Sequence, residues 1–241
     1  MIIQPYDDAI ALARALAVRV CAAIEERPHL VLGLPTGRTP LLFYEQLRVR
    51  SREQCADWSR VRTFNLDEFV AVAPGAAGRY RAYMQRELFD HVNLAPGHIG
   101  FLQGEAPDLD AECARYEQVI ADAGGLDLIV LGIGTNGHIG FNEPGPSLEA
   151  RTHRTRLLPS TRASNRALFD DRMEQVPAEA LSMGMATILH ARQVVLIATG
   201  ATKVSAVAQL MTGSITTELP ASFLQLHPDA TVMVDAAASP R

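Results

Sequence analysis

Three stretches of the chain gather residue types that could do chemistry together. In LGIGTNGHIGFNEPG (131–145), an aliphatic run passes into glycines, two asparagines, one histidine and one glutamate. His138 is the group there that takes and gives a proton near neutral pH. Asn136 and Glu143 lie within a loop's reach of it, and a carboxylate beside an imidazole fixes its tautomer and stabilises its cationic form. Gly137 and the neighbouring glycines let the backbone bend close to a ligand. In FNLDEF (64–69), Asp67 and Glu68 are adjacent, so in extended chain they point to opposite faces: one toward a pocket, the other toward solvent or a cap. A carboxylate in a cleft is a candidate base for removing a proton from carbon next to a carbonyl. In LPTGRTP (34–40), Thr36, Gly37 and Thr39 precede a helix start near Pro40, and backbone N–H groups with hydroxyls there suit a phosphate or another oxyanion. The spacing is not that of a nucleotide triphosphate loop. Lys203, after TGAT at another strand-to-helix junction, offers a cation to the same anion. Each motif alone is also an ordinary turn, cap or solvated residue; their combination is what points to a site.

The elements that must position these groups alternate. Helices are expected at Asp8–Glu25, 41–50, 78–92, 109–124, 177–191 and 202–212, and strands at 29–34, 61–66, 98–104, 126–134, 193–200 and 230–238. About 28 residues precede the first of these strands and read as a single helix. Aliphatic strands alternating with helices imply an α/β fold, a doubly wound, mainly parallel sheet with helices on both faces. No composition break divides the chain, so residues 1–241 read as one domain. The chemical motifs all fall where strands end, and ligands of such sheets gather at the carboxyl ends of strands.

Length and composition bound the rest. With 241 residues, 48% hydrophobic and 20% charged, the chain can bury a substantial core. A net charge of -5 argues against a broad nucleic-acid or anionic-membrane surface while leaving room for a small basic pocket. No signal peptide or spanning segment is read, and Cys21, Cys55 and Cys113 lack metal or redox spacing, so packed, reduced thiols of a cytoplasmic protein are expected.

Through GLPTGRTP, FNLDEF, LFDHVNL, APDLDAECARYE, LGIGTNGHIGFNEPG, TRASN, QVPAEALSMGMATIL and LQLHPDA, in order, the chain resembles the glucosamine-6-phosphate deaminase family, also called glucosamine-6-phosphate isomerase. The related 6-phosphogluconolactonases share the fold and a Gly-His motif but typically lack the continuation present here as Phe141–Pro144. The resemblance implies a Rossmann-like fold and, without cofactor or metal, conversion of glucosamine 6-phosphate to fructose 6-phosphate and ammonia. Isomerase, deaminase and hydrolase are the expected reaction classes. By position, Asp67 matches the base that moves a proton from C2 to C1. His138 matches the group that opens the sugar ring, assisted by Asn136 and Glu143, and Gly137 belongs to the same loop.

Two departures stand out. Many members carry Asp where this chain has Asn136, which shifts the burden of orienting His138 toward Glu143. The family's phosphate-binding arginine falls at Ala167, with Arg166 one residue early. One residue on a helix turns a side chain by roughly 100 degrees, so Arg38, inside the anion loop, is the candidate to replace the charge Arg166 would supply. The expected partner is a small amino-sugar phosphate, with neither nucleic acid nor membrane, for a monomer or homo-oligomer. The segment PSLEARTHRTR (146–156) departs from the pattern of regulated members, so an unregulated enzyme is expected. Galactosamine 6-phosphate as substrate, lactone hydrolysis and a non-catalytic sugar-phosphate sensor are the alternatives.

Overall fold

The computed structural model describes residues 1–53, 56–76 and 78–240. In chain order the elements are β1 (Ile2–Tyr6), α1 (Ala9–Glu26), β2 (Val31–Leu34), α2 (Leu41–Glu53), β3 (Arg62–Asn65), β4 (Asp67–Phe69), α3 (Tyr80–Glu87), β5 (Ile99–Gly100) and α4 (Leu109–Asp122). There follow β6 (Leu128–Gly132), β7 (His153–Arg156), α5 (Pro159–Asn165), β8 (Glu179–Ser182), α6 (Met185–Leu189), β9 (Gln193–Ala198), α7 (Val204–Leu210) and β10 (Ala230–Asp235), with short 3-10 turns between.

Seven strands form one sheet in the order β1-β10-β9-β6-β2-β3-β5, every pair parallel. β6 and β9 are almost wholly aliphatic because helices cover both faces. Along β6, Leu128 and Val130 enter one apolar cluster with α1, α2 and α3, while Ile129 and Leu131 enter a second with α4, α6 and α7. That period-2 alternation divides the core into two layers around the sheet. The long α1 buries the stripe Leu12, Leu16, Val20 and Ile24, and Asp8 caps it by accepting from the Ala11 N–H at 2.7 Å.

A second sheet, β4-β8-β7, is antiparallel. Its presence corrects the expected helix at 177–191: residues 179–182 are strand and only Met185–Leu189 is helical. PAEAL is good helix sequence, but pairing with β4 and β7 fills hydrogen-bonding edges that a helix would leave open, and tertiary pairing overrides propensity. The N-terminus is likewise not a single helix, since β1 pairs along β10, and its Pro5 is tolerated because β1 is an edge strand. The expected strand at 98–104 shrinks to Ile99–Gly100, and the helix at 78–92 ends at Glu87 before a 3-10 turn. Cys21 and Cys113 are buried free thiols; Cys55 lies outside the described residues. Among the described residues no helix is long and apolar enough to cross a membrane.

Candidate active site

β2 has β3 on one side and β6 on the other, so the chain's progress across the sheet reverses at the β2–β6 pair. Loops leaving the two strands at such a point diverge and open a crevice at their carboxyl ends. A cavity of about 540 Å³ lies there. Four strand ends feed it: the segment 35–40 after β2, Leu66 and Asp67 after β3, the loop 132–138 after β6, and Thr199, Thr202 and Lys203 after β9. Two other surface cavities are as large, about 640 and 700 Å³, but contain none of Asp67, His138 or Lys203. Chemistry rather than size singles out this crevice.

Asp67 opens β4, where register with Ser182 fixes its direction. It lines the cavity while only 7% exposed, and the Thr36 hydroxyl donates to its Oδ1 at 3.4 Å. Burial, then the charge of Glu68, push its carboxyl up to about 8, against the Thr36 hydrogen bond. Gly140, at φ +57°, leaves open the space beside it, since a Cβ there would sit 3.0 Å from Ser182 Oγ and 3.9 Å from Asp67 Oδ2.

His138 faces the same cavity. Its Nδ1 stands 3.2 Å from Glu143 Oε2, which leaves Nε2 as the nitrogen directed away from that carboxylate. Asn136 Nδ2 donates to the same Oε2 at 2.9 Å, and Asn136 Oδ1 accepts from the His138 backbone N–H at 3.3 Å. Burial alone would raise the Glu143 carboxyl, but His138, Thr161 and Asn136 together hold it below the ordinary glutamate value. Glu143 therefore stands behind the imidazole rather than on the cavity wall. Gly137, at φ +85°, also lies behind the wall, where an added Cβ would meet Leu219 Cδ1 at 2.1 Å.

All of Thr36, Gly37, Arg38 and Thr39 line the crevice, and Tyr83 pins their loop by donating to the Gly37 carbonyl at 2.7 Å. After β9, Asp235 holds the turn before Lys203 by accepting from the Gly200 N–H at 3.0 Å. Burial, then the nearby Arg38 charge, lower the proton affinity of Lys203. Two cations thus share one cavity, and neither has a carboxylate partner among the described residues. Arg166 does not join them. It is half exposed, with Nε 3.0 Å from Asp171 Oδ1, while its neighbour Ala167 is the residue on the cavity lining. The 3-10 turn Arg166–Phe169 that follows α5 aims it outward.

Several participants are given no chemical role by the sequence alone. Tyr80 lines the cavity, stacks on Phe141 at 13° between ring planes, and donates to Asn165 Oδ1 at 3.1 Å. Its position in a helix reads as core. Thr161 and Asn165 sit in TRASN, a stretch whose chemistry is evident only once α5 is packed over the crevice.

The sequence matches the family described as glucosamine-6-phosphate isomerases/6-phosphogluconolactonase over residues 5–233. The chain belongs to that family. Within it, the chain is 44% identical over 239 residues to a glucosamine-6-phosphate deaminase of Arthrobacter sp. (strain FB24), covering 99% of this chain and 91% of the relative. It is also 44% identical over 216 residues to one of Geobacillus sp. (strain WCH70), covering 90% and 86%. A solved structure of a monomeric glucosamine-6-phosphate deaminase superposes with a TM-score of 0.96 at 38% identity, covering 99% of this chain and 98% of the other. The 6-phosphogluconolactonase of Thermotoga maritima shares the fold, with a TM-score of 0.76 at 21% identity. One expectation is corrected by the glucosamine-6-phosphate deaminases among these relatives: they support an isomerase and deaminase, and hydrolase is not a class they support.

Proposed function

We infer that the chain is a glucosamine-6-phosphate deaminase, converting glucosamine 6-phosphate to fructose 6-phosphate and ammonia. The observation that carries this reading is the convergence of Asp67, His138, Arg38 and Lys203 on one crevice of ligand size in a chain of this family. In the proposed sequence the phosphate is held by the Thr36–Thr39 loop, Arg38 and Lys203. Arg38 supplies the charge that Arg166, turned to Asp171, does not. His138, oriented by Glu143 and Asn136, moves the proton of the anomeric hydroxyl to the ring oxygen and opens the sugar. Asp67, as carboxylate, then takes the proton from C2 and returns it at C1. As the C1 oxygen takes up a proton and the amino nitrogen gives one up, C2 is left double-bonded to nitrogen; water adds at C2, its oxygen becomes the ketone oxygen, and the nitrogen leaves as ammonia.

Product analysis tests the assignment. Ammonia and a ketose phosphate should be released from glucosamine 6-phosphate faster than from its C4 epimer, galactosamine 6-phosphate, with no hydrolysis of 6-phosphogluconolactone. Preference for the epimer would change the substrate, and binding without turnover would make the protein a sensor. We further propose that the chain is cytoplasmic and a monomer, the monomer being supported by the monomeric relative. Sedimentation showing a larger species than the 26.2 kDa chain would overturn that.

A further inference from the structure

We propose that Glu68 is a positioning residue of this site: it fixes Tyr80 at the cavity wall and supplies the charge against which Asp67 gains and loses its proton. The proposal rests on the reading of Asp67 as the base. β4 is three residues long, and its alternation sends Asp67 into the crevice and Glu68 to the opposite side, toward the start of α3. There Glu68 is fully buried. Its Oε1 accepts from the N–H groups of Phe69 at 2.9 Å and Tyr80 at 3.0 Å, and its Oε2 accepts from the Arg81 N–H at 3.0 Å. Arg79, the residue before α3, contributes no side-chain cap; instead its Nε lies 3.6 Å from Glu68 Oε2.

The first amides of a helix are unpaired donors at the positive end of its dipole, and Glu68 satisfies two of them from outside the helix. One carboxylate therefore joins three parts of the site. It closes the excursion between β4 and α3, holds the backbone of Tyr80 whose ring forms part of the wall, and sits one residue from Asp67. A neutral residue of the same shape would do the first two tasks in part and the third not at all.

Besides burial, Asp67 is acted on by the charge of Glu68 from its own strand and by the Thr36 hydroxyl, and the charge of Asp67 in turn raises the proton affinity of Tyr44 from α2, Tyr80 from α3 and Tyr116 from α4. Glu68 is in turn faced by Arg79 and by Arg81. Burial pushes the Glu68 carboxyl up to about 7, against its three N–H donors and Arg79. The charge of Glu68 therefore bears directly on the proton of Asp67. Removing the Glu68 charge lowers the proton affinity of Asp67, whereas removing Arg79 makes the pair hold its last proton more tightly.

Glu68→Gln and Arg79→Met separate this role from a purely structural one. In Glu68→Gln the acid limb of the kcat/KM profile should move down by about one pH unit, and in Arg79→Met it should move up. The substrate's own titration is common to all three proteins. Aspartate carboxyl carbons followed by NMR in the ligand-free protein, with Asp67→Asn for assignment, should show the same opposite displacements at Asp67. If folded Glu68→Gln loses rate with its limb and its carboxyl signal unmoved, the proposal is overturned; if that variant fails to fold, Arg79→Met decides alone. The NMR titration does not depend on turnover. A moved signal with no deaminase activity would therefore uphold the coupling and sink the reaction assignment instead.

Discussion

As the proposed base, Asp67 has to be both a buried group and a proton acceptor, and those demands conflict. Burial and Glu68 raise its proton affinity to a pKa of about 8, so in the empty site it is largely protonated at neutral pH. A base acts only when ionised. The expected kcat/KM therefore falls about tenfold for each pH unit below that value and levels off above it; a profile flat from pH 6 to 9 would remove Asp67 from the rate-determining step. Asp67→Asn should bind substrate and lose turnover by roughly 10²- to 10⁴-fold, measured as ammonia release. At the other end of the substrate, Arg38→Ala should raise KM by about ten- to a hundredfold, the worth of one hydrogen bond to a charged group. Arg166→Ala should leave KM where it was, because that guanidinium faces Asp171. The reverse ranking would return the phosphate to Arg166.

At the scale of elements, the loop after β6 shows how backbone places chemistry. Gly134 packs directly beneath the His138 ring: a Cβ there would sit 2.4 Å from Cε1 and Nδ1. Gly134→Ala should displace the imidazole and lower kcat by about a hundredfold, the scale of a 1 Å misplacement, with a smaller effect on KM. A normal kcat would show that the loop tolerates a tilted ring. The same scale shows where sequence reading stops. Aliphatic runs such as LDLIVLGIG announce a buried strand because both faces are covered, whereas residues 179–182 read as helix and 153–156 announce nothing. Those two segments become strands by pairing with each other, and 179–182 also with Asp67–Phe69, partners far away along the chain. Likewise, local alternation requires Asp67 and Glu68 to face opposite ways; which one meets the crevice is decided by the pairing of Asp67 with Ser182.

At the scale of the whole molecule, the site is a stability cost built into the fold. The folded pKa of Asp67 lies above the aspartate value of 3.8. Between those values the unfolded chain has already released this proton while the folded chain retains it, so rising pH favours unfolding across the window from about 4 to 8. Asp67→Asn should therefore melt at a higher temperature than the parent at pH 8, with the gap closing toward pH 4. A variant less stable than the parent at pH 8 would mean that the native carboxylate is better solvated than its burial implies. What the sequence by itself determined is local: the chemistry of each motif, the alternation that makes an α/β fold, and the ordered motifs that mark the family. The tertiary structure alone decided that the ends of β2, β3, β6 and β9 share one crevice, that Arg38 and Lys203 both line it, and that Arg166 pairs with Asp171 outside it. The physical reason is range. Periodicity and capping act between residues a few positions apart, while strand order and register arise from hydrogen bonds between segments that meet only once the chain has folded.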